Sequence, residues 1–62
     1  MCQSTVYMRK GDQEEELLRD AILVEPVEDG VKIQGFFEAP RVVPAKILTI
    51  DLLKHRIVLE PL

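Results

Sequence analysis

The sequence predicts a small all-β domain that occupies the whole chain, residues 1–62. Three observations carry that expectation. Turn-forming residues cut the chain into short pieces at close intervals, as in all-β modules. Most pieces between them are rich in β-branched and aromatic residues, which fit a pleated, half-buried surface. Finally, 47% hydrophobic against 31% charged residues is too apolar a mixture for a disordered chain.

Taken in order, Ser4-Thr5-Val6-Tyr7-Met8 forms the first strand, and Lys10-Gly11-Asp12 closes it. The next piece is the difficult one. Glu14-Glu15-Glu16-Leu17-Leu18-Arg19-Asp20-Ala21-Ile22 contains strong helix formers, with acidic residues in what would be a first turn and apolar residues at helical spacing. On local grounds a helix is slightly favoured there. The strand alternative places Leu18, Ile22 and Val24 on one face, interrupted by Asp20, with Pro26 stopping the run. Sheet context routinely overrides such local preference.

Asp29-Gly30 is a strong turn dipeptide, and Val31-Lys32-Ile33-Gln34 alternates after it. Gly35 marks a bend before Phe36-Phe37. Pro40 and Pro44 bracket Arg41-Val42-Val43, which suits an edge or an irregular strand entry. Ala45 to Asp51 and Arg56 to Glu60 then form two strands joined through Leu52-Leu53-Lys54-His55.

A chain this short buries only about 60% of the surface its unfolded form exposes. Small folds normally add a disulfide, a metal or a partner chain. One cysteine excludes an intrachain disulfide. A metal or a second subunit must complete the fold, and the aliphatic residues favour the subunit. Ile47, Leu48, Ile50, Leu52, Leu53, Ile57, Val58, Leu59 and Leu62 fall on both strand faces, more than one small sheet can hide. A two-fold homodimer is the simplest way to cover the outward set.

Eight basic and eleven acidic residues give a net charge of −3 and a pI near 5.0. Nucleic-acid binding needs a concentrated basic footprint. Arg9-Lys10 and Lys54-His55-Arg56 are too short to make one. No apolar stretch approaches the ~18 residues of a membrane span, and no signal-peptide pattern follows Met1. The expectation is a soluble cytoplasmic protein whose thiol stays reduced.

Residues able to carry chemistry are few: one Cys, one His, one Tyr and one Ser, with no Gly-rich phosphate loop. A base beside a thiol activates it, so Cys2 with His55 is the conceivable nucleophile pair. A terminal nucleophile lacks the fixed geometry that catalysis requires, and no enzyme is expected. Glu14-Glu15-Glu16 is expected to be a solvated face.

Cys2 matters for another reason. Without Met1 its α-amine and thiol close a five-membered ring around a metal. With Met1 retained, the Met1 amine, the Cys2 amide nitrogen and the Cys2 thiolate offer a similar array. Two termini meeting at a dimer axis would place nitrogen and sulfur donors in one plane, which favours Ni(II) or Cu(II). The competing view is an inert surface cysteine. His55 is the other candidate ligand, but Lys54 and Arg56 beside it disfavour a cation, and a structural role fits it better.

The Met1-Cys2 start followed by a short β-rich run, the Glu25-Pro26 pair, the Asp29-Gly30 turn and the closing Ile50-Asp51-Leu52-Leu53-Lys54-His55-Arg56-Ile57-Val58-Leu59 together resemble the CooT family. These are small nickel-binding proteins associated with maturation of nickel-containing carbon monoxide dehydrogenase. The resemblance implies an SH3-like β-barrel, a homodimer, and Ni(II) held through the cysteine after the initiator methionine, here Cys2. It implies a nickel carrier with a nickel enzyme such as carbon monoxide dehydrogenase as acceptor. It also makes Glu15 to Val24 a strand despite the helical pattern. The alternative is a small β-barrel interaction module, RNA-binding in some descriptions of such sequences, with Cys2 incidental.

Overall fold

The computed structural model describes residues 3–62. They form six strands: β1 (Ser4–Lys10), β2 (Gln13–Val27), β3 (Gly30–Gly35), β4 (Arg41–Val43), β5 (Ala45–Asp51) and β6 (Arg56–Pro61). One sheet holds them all, in the order β4-β3-β2-β1-β6-β5. It curls on itself as a small half-barrel, and every neighbouring pair is antiparallel except β1 with β6.

Gly11, at φ 63, turns β1 into β2. β2 then serves both halves of the sheet. Its first part pairs with β1, from Lys10↔Gln13 to Ser4↔Ala21, and its last part pairs with β3, from Ala21↔Gly35 to Val27↔Gly30. Between the two, register shifts and the positive φ of Asp20, at 56, mark the bend that curls the sheet. Bulges of this kind raise local twist and re-aim side chains.

The concave face holds the core: Val6, Met8, Leu18, Val31, Ile33, Ala45 and Leu59, with Leu17, Ala21, Val24, Val43, Ile47 and Ile57 packed against it. β4 and β5 follow each other in sequence yet lie at opposite edges of the sheet. The chain crosses between the edges at Pro44, whose carbonyl accepts a hydrogen bond from the Leu62 N–H at 3.3 Å. Gly30 makes that corner possible. A Cβ there would collide with the Val43 carbonyl.

The all-β class and the strand identity of 15–24 are as expected. The locally favoured helix does not form, because two neighbouring strands hydrogen-bond this segment and its apolar residues face a curved sheet. Two details differ from expectation. Pro26 does not stop the strand, since β2 continues to Val27. Beyond Ala21, β2 has only β3 as a neighbour among the described residues, so half of its N–H groups have no ladder partner and proline is tolerated. Ile22 is also not a core residue; it is exposed, and Ala21 packs inward instead. Register shifts on both sides of Ala21 move the inward positions from Leu18 to Ala21 and then to Val24.

Candidate functional site

Cys2, the expected metal-binding residue, lies outside the described residues, and the first strand, β1, starts two positions after it. β1 begins in the middle of the sheet. On one flank Ser4 aligns with Ala21 of β2, which in turn aligns with Gly35 of β3. On the other, Thr5 aligns with Arg56 of β6, and the Thr5 N–H donates to the His55 carbonyl at 3.0 Å.

That second contact ties the start of β1 to the turn between β5 and β6. The turn is built locally. The Lys54 N–H donates to Asp51 Oδ1 at 3.0 Å, and His55 adopts φ 56, turning its carbonyl toward Thr5. A short polar side chain accepting from a backbone N–H a few residues on is a common way to fix such a turn. His55 is half-buried. Leu52 and Leu53, in the same turn, are 75% and 88% exposed. Neither belongs to the core.

Further along, the convex face of β1, β2 and β6 carries a polar cluster. The Arg56 guanidinium lies 4.5 Å from the centre of the Tyr7 ring and pairs with Glu14. On the opposite face, that of Met8, Glu15 reaches Lys10 at 3.7 Å, while Glu16 reaches Arg19 at 3.2 Å. The acidic run is exposed to solvent, as expected, but its side chains alternate between the two faces of β2, and Glu14 is tied across the sheet. The Glu14–Arg56 pair spans 42 residues of sequence, and nothing in either local segment announces it. Only the register of β1 between β2 and β6 brings the two together.

Among the described residues, no group of three or more His, Cys, Asp or Glu side chains converges to hold a metal. An apolar groove at the far end, among Val27, Val31, Ala45, Ile47 and Leu62, carries no cluster of nucleophile and base. No helix is long and apolar enough to cross a membrane. The expected donor set precedes Ser4, which aligns with Ala21, and Thr5, which is bonded to His55.

An all-strand half-barrel with β1 in the middle of its sheet defines a small β-barrel domain. The chain belongs to the CooT family: residues 1–60 match the family described as CO dehydrogenase accessory protein CooT. It is 38% identical over 60 residues to an uncharacterized protein of Methanothermobacter thermautotrophicus, covering 97% of this chain and 89% of that one. Its fold is similar to a crystal structure assigned to CooT from Carboxydothermus hydrogenoformans. The TM-score is 0.87 at 33% identity, over 98% of each chain.

Proposed function

We propose that this protein is a non-catalytic nickel carrier of the cytoplasm. Two subunits bind Ni(II) through Cys2 of each chain and pass it to a nickel enzyme, carbon monoxide dehydrogenase being the acceptor the family description favours. The observation that carries this proposal is the family match from residue 1, which takes in the Met1-Cys2 start. The anchoring of β1 supports it, because Thr5, three residues after Cys2, is hydrogen-bonded to the His55 carbonyl. A chelate at a chain end exchanges ligands with an acceptor without unfolding the carrier.

Titration with Ni(II) tests the proposal. Wild-type protein is expected to take up one metal per two chains, because one terminus has too few donors to fill a plane. Thiolate-to-nickel absorption should grow with metal and fade as acid protonates the sulfur and nitrogen donors. Cys2→Ser should abolish high-affinity binding with fold and assembly unchanged, whereas His55→Ala should leave most binding in place. If Cys2→Ser binds as tightly as wild type while His55→Ala does not, the metal belongs on the barrel and the terminal chelate is wrong.

A further inference from the structure

We draw no further inference here: the strongest candidate, the exposed apolar patch of Phe36, Phe37, Leu52 and Leu53 at the end of the sheet where β1 starts, carries nothing, because nothing in the structure shows what covers it.

Discussion

Gly30 and His55 both sit where the backbone enters the left-handed half of conformational space, but they tolerate change very differently. Gly30, at φ 151, lies under the β4–β5 corner, and any Cβ meets the Val43 carbonyl. Gly30→Ala therefore combines backbone strain with a collision against main chain that cannot rotate away. We expect a loss of about 3 kcal/mol or more, enough to leave so small a domain largely unfolded. Urea titration monitored by circular dichroism measures it, and a shift below ~1 kcal/mol would contradict the packing at this corner. His55, at φ 56, has no such obstacle. His55→Gly keeps the turn and its carbonyl bond to Thr5 while removing the imidazole. Its melting temperature should stay within a few degrees of wild type, and most nickel binding should remain. That variant separates the backbone role of His55 from any role as a ligand more cleanly than alanine, which has no easy access to this conformation.

β2 is the element in which local and long-range preferences conflict. Its first ten residues carry glutamates and leucines at helical spacing, yet all fifteen residues are strand. A peptide of residues 13–27 should accordingly show no β-structure alone in water and should shift toward helix in trifluoroethanol. β-structure in the isolated peptide would mean that strand preference is local after all. The strands on either side are legible because they alternate or carry β-branched residues between clear turns, as in Val31-Lys32-Ile33-Gln34 after Asp29-Gly30. β2 is legible only through the likeness to a family, because its strand character comes from partners at both edges. The site divides the same way. A cysteine behind the initiator methionine can be seen in the sequence; the docking of Thr5 on His55 cannot. That contact adjoins the parallel pairing of β1 with β6, and it joins residues fifty positions apart. The placement of Ile22 outside the core is hidden for a related reason, since the register shifts on both sides of Ala21 reset which side chains face inward.

For the molecule as a whole, apolar surface is the feature that the isolated chain leaves unbalanced. Among the described residues, eight hydrophobic side chains are buried and ten large ones are exposed. The chain exposes 4447 Å², somewhat above the ~4100 Å² typical of a folded monomer of its mass. Two sheet edges, β4 and β5, also remain without a strand partner among the described residues. A second copy of the chain would relieve much of this exposure, since stable pairings of proteins bury about 800 Å² on each partner. If the two Cys2 donors share one metal, the two-fold axis must pass close to the start of β1. On the flank away from the β5–β6 turn, that start adjoins Ala21, and the next residues of β2 are the exposed Ile22 and Leu23. Metal-free protein should therefore sediment at micromolar concentration with twice the 7.1 kDa mass of one chain. Its melting temperature should rise with protein concentration, as mass action requires of a folded dimer. Ile22→Asp should shift it toward the single-chain mass, because an unpaired carboxylate at the centre of an apolar contact has no partner to replace water. A wild-type protein that remains a monomer across this range would leave each Cys2 to bind metal alone, and the expected ratio of one nickel per two chains would fall with it.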